Sequence, residues 1–287
     1  MSELRRLAFA IAYRMLGSVA EAEDVVQEAM LRLYATTDDP DAQPIESPPA
    51  WLSTVVSRLA LDELRSARAR REVYVGEWLP EPLVGVGDVD DPATEAETAD
   101  SLSVAFLVLL ESLTPEQRAA FLLHDVFDYP FDEVADIIDT SSANARQLAS
   151  RARREVEAQR PRFETSAAKR DRLADRFFAA VDDGDLSGLE TLLAEDVEVH
   201  GDGGGNAPAL ARPISGRVRV ARTLRAWFKA APRFGEFRFE RTVVNGQPGL
   251  VLFVDDAVAG VMSLEIADDQ IQAIHSVVNP EKLSHLK

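Results

Sequence analysis

The sequence predicts a multidomain chain, two all-α blocks followed by an α+β block. Three observations lead there. At 287 residues the chain exceeds the ~100–200 residues of one domain. As far as about residue 163, apolar residues recur at helical spacing and are interrupted by one acidic, proline- and glycine-containing stretch. From Phe234 onward the text alternates with period two and is punctuated by two-residue turns.

In the first block, 1–72, Val19–Tyr34 places Ala22, Val26, Ala29 and Leu33 on one helical face, with Glu21, Glu23 and Asp24 in the favourable first turn. Asp38–Pro49 reads as a loop, and Pro48 and Pro49 then open a helix running to about Arg71. Residues 73–101 form a linker, whose apolar cluster Trp78-Leu79-Pro80-Glu81-Pro82 is too short and proline-rich for a helix and reads as a docking peptide. In the second block, 102–163, Ser103–Leu113 is densely apolar. Thr114-Pro115-Glu116-Gln117 then gives a threonine cap, a proline at the first position and a glutamine at capping-box spacing. Tyr129-Pro130 breaks that helix. In the third block, 167–287, helical text from Ser166 to Leu193 gives way to strands at Phe234–Asn245, Gly249–Asp255, Val258–Ala267 and Gln270–Val278, with Asn245-Gly246 and Asp268-Asp269 as hairpin turns.

Composition excludes several chemistries. There is no cysteine, so disulfides, thiolate metal sites and cysteine nucleophiles are absent. Four histidines without an i, i+4 pair give no metal signature, and no cofactor is expected. The start, through Leu16, is basic then apolar, but Tyr13 and Arg14 interrupt it and no cleavage site follows. No apolar run approaches the ~18 residues of a membrane span, so the expected location is cytoplasmic, with no membrane partner.

The formal charge of −18 is unevenly spread. Glu77 to Asp100 carries eight acidic residues and no basic one, whereas Ser141–Arg160 carries five arginines against two glutamates and Ala50–Glu72 five against three. Basic helical segments neutralise phosphates, and surrounding acidity suppresses non-specific binding. The apolar run Asp132–Asp139 precedes a capped helix from Thr140 to Glu155, and a tight turn joins them. This is the layout of a helix-turn-helix DNA reader. Asn144, Arg146 and Gln147 suit base edges, Ser141 and Ser142 suit phosphate at the helix N-terminus, and Arg151 and Arg154 suit the backbone.

The first block resembles region two of a bacterial sigma-70-type factor, in A-E-D-V-V-Q-E-A-M-L-R-L-Y from Ala22 and W-L-S-T-V-V-S-R-L-A-L-D-E-L-R from Trp51. The second resembles region four, in S-L-T-P-E-Q-R-A-A-F-L-L-H-D-V-F from Ser112 and Y-P-F-D-E-V-A from Tyr129. A linker where an intervening region would stand points to the extracytoplasmic-function class. The third block resembles a SnoaL-like domain, an α+β cone with a curved mixed sheet. Sigma factors fused to such a domain carry W-L-P-E-P, D-G-G-G-K and N-P-D-K-L motifs, which stand here as Trp78–Pro82, Asp202–Asn206 and Asn279–Leu283.

The resemblance implies transcription initiation by a protein that is not an enzyme and is a monomer when free. Its partners are the core polymerase (β′ clamp and β flap) and promoter DNA. Gln27, Glu28 and Arg32 would face the polymerase. Arg58, Arg65 and Arg68 would hold the melted −10 box, with Asp38–Ser47 lining a pocket for flipped bases and Trp51 either stacking on a base or buried in the core. The reading helix would take the −35 box. Regulation in cis would come from Trp78, Leu79, Pro80, Glu81 and Pro82 with Asp202, Gly203, Gly204, Gly205, Asn279, Pro280 and Lys282. Asn206 replaces the family lysine, so any pairing of that lysine with a linker acid such as Glu81 would be lost. The alternative is a DNA-tethered small-molecule sensor or enzyme, with His200, Asp196, Trp227, Arg241 and His275 converging on a ligand pocket.

Overall fold

The computed structural model describes residues 2–41, 43–71, 73–85, 101–159, 165–210 and 212–286, with the side chains of 67–71 and 159 outside that description. Six linker acids from Asp88 to Asp100 and the Arg68 side chain therefore lie outside the described residues. The chain forms two compact units: Met1–Val73 with Leu107–Arg160, and Tyr74–Phe106 with Pro161–Lys287. The blocks read separately as 1–72 and 102–163 thus largely share one unit, and the described linker residues from Tyr74 onward belong with the third block.

In the first unit, α1 (Ser2–Leu16) buries Ala8, Ile11, Ala12, Met15 and Leu16 against α2 (Val19–Asp38) and α3 (Pro48–Arg71). The Ser18 hydroxyl caps α2 by accepting from the Glu21 amide at 3.2 Å. α2 outruns the expected end at Tyr34. In its last turn the Thr36 and Thr37 hydroxyls donate back to the Arg32 and Leu33 carbonyls at 2.9 and 2.8 Å. After α4 (Val104–Leu110), the Thr114–Gln117 capping box starts α5 (Pro115–Phe121), as its sequence predicts. One π turn, Leu122–Val126, closes it. α6 (Phe131–Ile137) and α7 (Ser142–Gln159) follow, separated by a tight turn with Asp139 left-handed at φ 55°.

Arg118 of α5 is 2% exposed and joins three segments of this unit. It donates to the Met15 carbonyl at 2.7 Å and the Leu110 carbonyl at 3.0 Å and pairs with Glu111. A charge that deep is tolerated because its donors are satisfied.

In the second unit, α8 (Ala167–Asp182), α9 (Leu186–Leu192) and α10 (Arg217–Ala230) back a six-stranded mixed sheet. Its strands are β1 (Leu193–Asp202), β2 (Ile214–Ser215), β3 (Phe237–Val244), β4 (Gln247–Val254), β5 (Ala257–Ala267) and β6 (Gln270–Val277), in the order β2-β1-β6-β5-β4-β3. Only the β1–β6 pairing among these is parallel. Three hairpin turns have both central residues left-handed: Asn245-Gly246, Asp255-Asp256 and Asp268-Asp269. The first and third are the turns read from sequence. The second, between β4 and β5, joins two strands that were anticipated. β1 and α10 were not anticipated at all.

The two faces of this sheet have different cover. Val199, Ile274, Leu264, Met262 and Leu250 share the helix-backed face with Phe177, Leu189 and Leu224. Val251, Val261 and Val277 are also buried, but they alternate onto the opposite face. There the linker from Tyr74 to Gly85 and the tail after Val278 take the place of helices, contributing the buried Leu79, Leu83 and Leu283.

Candidate functional site

On that second face, β1 ends at Asp202, whose carboxylate is fully buried. One oxygen, Oδ1, accepts from the Tyr74 hydroxyl at 2.6 Å and the Gly204 amide at 3.0 Å. The other, Oδ2, accepts from the Leu79 amide at 2.8 Å and Lys282 Nζ at 2.7 Å. Lys282 also donates to the Leu79 carbonyl and lies over the Tyr74 and Trp78 rings, 4.9 and 4.2 Å from their centroids. Asn279 donates to the Tyr74 hydroxyl at 2.9 Å and, through its backbone amide, to the Asp202 carbonyl at 3.1 Å. A single buried ion pair thereby ties together the linker, the glycine loop and the tail. Burial and hydrogen bonding by the Asp202 carboxylate hold the Tyr74 phenol above its usual range.

The glycines are there for space. A Cβ at Gly203 would stand 2.3 Å from the Ala207 carbonyl oxygen, and one at Gly204 would stand 2.2 Å from Asn279 Nδ2. Gly204 is also left-handed, at φ 59°. Asn206 finds its partner in the tail, donating to Glu281 at 3.2 Å.

Farther along, the linker docks on the β3–β4 hairpin. Leu83 donates to Asn245 Oδ1 at 2.9 Å and accepts the Asn245 amide at 2.8 Å, and Val84 bridges to Val244. Asn245 Nδ2 donates to the Leu102 carbonyl at 2.9 Å, so one turn residue holds the linker at Leu83 and the residue that follows the linker at Leu102. The Pro82 carbonyl accepts from His285 Nε2 at 2.9 Å. Tyr74, Leu83, Asn245 and His285 were missed by sequence reading. Asn245 was noted only as a turn former, and its side chain has no sequence signal.

The residues expected to line a ligand pocket are not brought together. His200 pairs across the sheet with His275, and both lie on the linker-covered face, rings stacked at 5.1 Å. Trp227 packs beside the helix-backed core, and Arg241, opposite Leu250, pairs with Asp175 at 3.3 Å and sits 5.5 Å over Phe178. Asp196 is exposed. The reason is parity, since His200 and Val199 are adjacent in a strand and must face opposite ways. Instead, His200 Nδ1 meets Glu77 of the linker at 2.7 Å, with Glu198 at 3.3 Å from Nε2. Burial opposes the His200 charge, but the two carboxylates outweigh it and raise its pKa. Burial and the facing His200 push His275 down to about 3, and burial raises Glu265. Among the described residues, no cluster of three His, Cys, Asp or Glu could hold a metal.

In the first unit, α7 buries Ala145, Ala149, Ala152 and Val156, which leaves Asn144, Arg146, Gln147, Arg151 and Arg154 exposed. Ser141 Oγ accepts from the Asn144 amide at 3.2 Å and caps the helix, while the Ser142 hydroxyl is buried with no hydrogen-bond partner among the described residues. Arg146 lies 5.3 Å over Phe131, and Arg153 is held by Asp125 at 2.9 Å.

On α2, Gln27, Glu28 and Arg32 are exposed, with Arg32 and Glu28 paired at 2.7 Å. The exposed Leu31 and Tyr34 lie beside them. Trp51 is half-buried next to the core residue Leu52. Arg58 and Arg65, expected to be available for phosphate, are engaged within the unit. Arg58 donates to the Asp136 carbonyl at 2.9 Å, and Arg65 pairs with Glu116 at 3.1 Å and Asp62 at 3.2 Å.

Comparison with known proteins accounts for both units. Residues 1–70 match the family model of Sigma-70 region 2, 103–156 that of Sigma-70, region 4, and 174–272 that of the SnoaL-like domain. The ECF RNA polymerase sigma factor SigJ of Mycobacterium tuberculosis is 41% identical over 98% of this chain and 91% of its own. A probable ECF RNA polymerase sigma factor of that organism, SigI, is 34% identical over 96% and 91%. The crystal structure of M. tuberculosis SigJ superposes with a TM-score of 0.75 at 37% identity, covering 99% of this chain and 98% of that one. The chain belongs to the extracytoplasmic-function sigma factors of RNA polymerase that carry a C-terminal SnoaL-like domain.

Proposed function

We propose that this chain directs core polymerase to its promoters through regions 2 and 4, and that its SnoaL-like domain regulates this step by holding or releasing the linker. The observation that carries the second part is the Asp202–Lys282 pair, closed around the backbone of Leu79. A linker gripped by a buried ion pair has two discrete states, docked and free, and such a bistable element is what a regulator needs.

The exposed face of α7, with Asn144, Arg146 and Gln147, enters the major groove at the −35 box. Arg151 and Arg154 hold phosphates, and Ser141 stands at the helix N-terminus. Arg58, Arg65 and Arg68 with Trp51 serve the −10 box. In the free protein Arg58 and Arg65 are engaged with α6 and α5, so promoter opening exchanges those contacts for phosphate. The α2 surface of Gln27, Glu28 and Arg32, together with Leu31 and Tyr34, docks on core polymerase. An apolar pair inside a polar rim is the usual anatomy of a protein interface.

Run-off transcription with core polymerase tests both parts, comparing the full chain with versions ending at Arg162 and at Val278. The proposal expects a promoter-specific transcript whose amount changes with both truncations, since the second removes Lys282 and Asn279. No core binding by any version would sink the first part. Equal transcription from all three would sink the second.

A further inference from the structure

The second unit contains a charge anomaly. From Gly203 to Gly235 there are seven arginines and lysines and no acidic residue, in a chain whose net charge is −18. The structure gathers four of these cations on one side of α10. Arg219, Arg222, Arg225 and Lys229 fall within about a third of the helix circumference at 100° per residue, and all four are exposed. On the other side, Val220, Ala221 and Leu224 are buried in the core. None of the four has an ion-pair partner among the described residues, whereas Lys169, Arg238 and Arg241 elsewhere in the unit are paired with acids.

We infer that this face of α10 is a second, sequence-independent DNA-binding surface that grips the phosphate backbone of the promoter duplex. Water and salt screen the mutual repulsion of these exposed cations, and a polyanion laid along the row relieves what remains. Arg219 to Lys229 spans about 15 Å of helix axis, the length over which one DNA strand presents four to five phosphates at about 3.4 Å each. The chemistry favours duplex over single strand. Trp227 and Phe228 belong to the half-buried side, so no aromatic platform for unstacked bases interrupts the row of cations. No asparagine or glutamine accompanies the cations on α10 to read base edges. The inference rests on the promoter-binding reading above, which is what brings duplex DNA to this chain.

The test is the salt dependence of promoter binding by holoenzyme assembled from core polymerase and the full chain, wild type against R222Q/R225Q/K229Q. Losing three phosphate contacts should flatten log K against log salt by about 2.7, so that from about 0.05 to 0.2 M salt the wild type loses roughly 40-fold more affinity than the variant. The difference should persist on a duplex with a scrambled upstream box. In a second variant that keeps every cation, a photocrosslinker replacing the exposed Ala226 should label DNA. An unchanged slope, or crosslinks only to polymerase subunits or to the acidic stretch 86–100, would overturn the inference. If wild-type holoenzyme made no promoter-specific transcript, the proposed function would fail separately, because the slope comparison needs only duplex binding.

Discussion

Replacing Lys282 by methionine should open the linker without unfolding the SnoaL-like domain. Methionine keeps the length of the side chain but leaves Asp202 buried, accepting from Tyr74, Leu79 and Gly204 with no counter-charge. Removing one partner of a buried ion pair typically costs about 3–5 kcal/mol. The cost falls on the docked state of the linker, because once Tyr74 and Leu79 leave, water can reach the carboxylate. At about 1.4 kcal/mol per decade, the open fraction should rise roughly 140- to 3,700-fold. Native-state hydrogen exchange of the Leu79 amide reads this directly, since that N–H donates to Asp202. A second variant, Asp202→Asn with Lys282→Met, removes both charges and keeps an acceptor for Leu79. It should regain more than half of the lost protection, which a merely local packing defect at position 282 would not allow. Unchanged exchange at Leu79 in Lys282→Met would refute the reasoning, as would a double variant no better than the single.

Four further outcomes are expected. The His200–Glu77 tie is complete below pH ~6.5, where native and unfolded His200 both hold a proton, and is lost as pH rises through the raised native pKa. Linker exchange should therefore rise with pH in the wild type relative to His200→Gln, and parallel profiles would count against it. His275 acts in the opposite sense, because its native pKa of about 3 means that only the unfolded chain takes up a proton between pH ~6.5 and 3. That costs about 2 kcal/mol at pH 5, so acid unfolding of His275→Gln should begin at lower pH than in wild type. In the first unit, Arg118→Ala removes the donors to the Met15 and Leu110 carbonyls, the latter keeping the Leu113 amide, and should lower stability by about 3 kcal/mol, seen as a lower thermal midpoint with only partial rescue by lysine. On α7, Arg146→Ala or Gln147→Ala should lose about 1–3 kcal/mol of discrimination at the −35 box while core binding, measured by gel filtration, stays unchanged.

Several helices of the first unit were legible because they carry their own start signal or a one-sided apolar pattern, as in Thr114-Pro115-Glu116-Gln117 and Ala145/Ala149/Ala152. α2 ran past Tyr34 because no glycine or proline stands between that residue and Pro40 to stop it. β1 went unseen because Glu195, Asp196 and Glu198 mask its alternation. α10 went unseen because Arg217-Val218-Arg219-Val220 alternates like a strand before the helical period emerges. The residues around Asp202 and Lys282 were recognised as motifs, but their chemistry was not. Nothing in the text says that Asp202 and Lys282 pair, or that both hold the backbone of Leu79.

By itself, the sequence determined the order of the blocks, the two sigma regions and the helix that reads DNA, because capping, periodicity and basic faces are local properties of a few consecutive residues. Tertiary structure alone decided which face of the SnoaL-like sheet is helix-backed and which receives the linker. It split His200 and His275 from Trp227 and Arg241, and it engaged Arg58 and Arg65 within the free sigma regions. Those outcomes depend on strand register and on partners 51 to 205 residues apart in the chain, and a one-residue change of register would reverse every face.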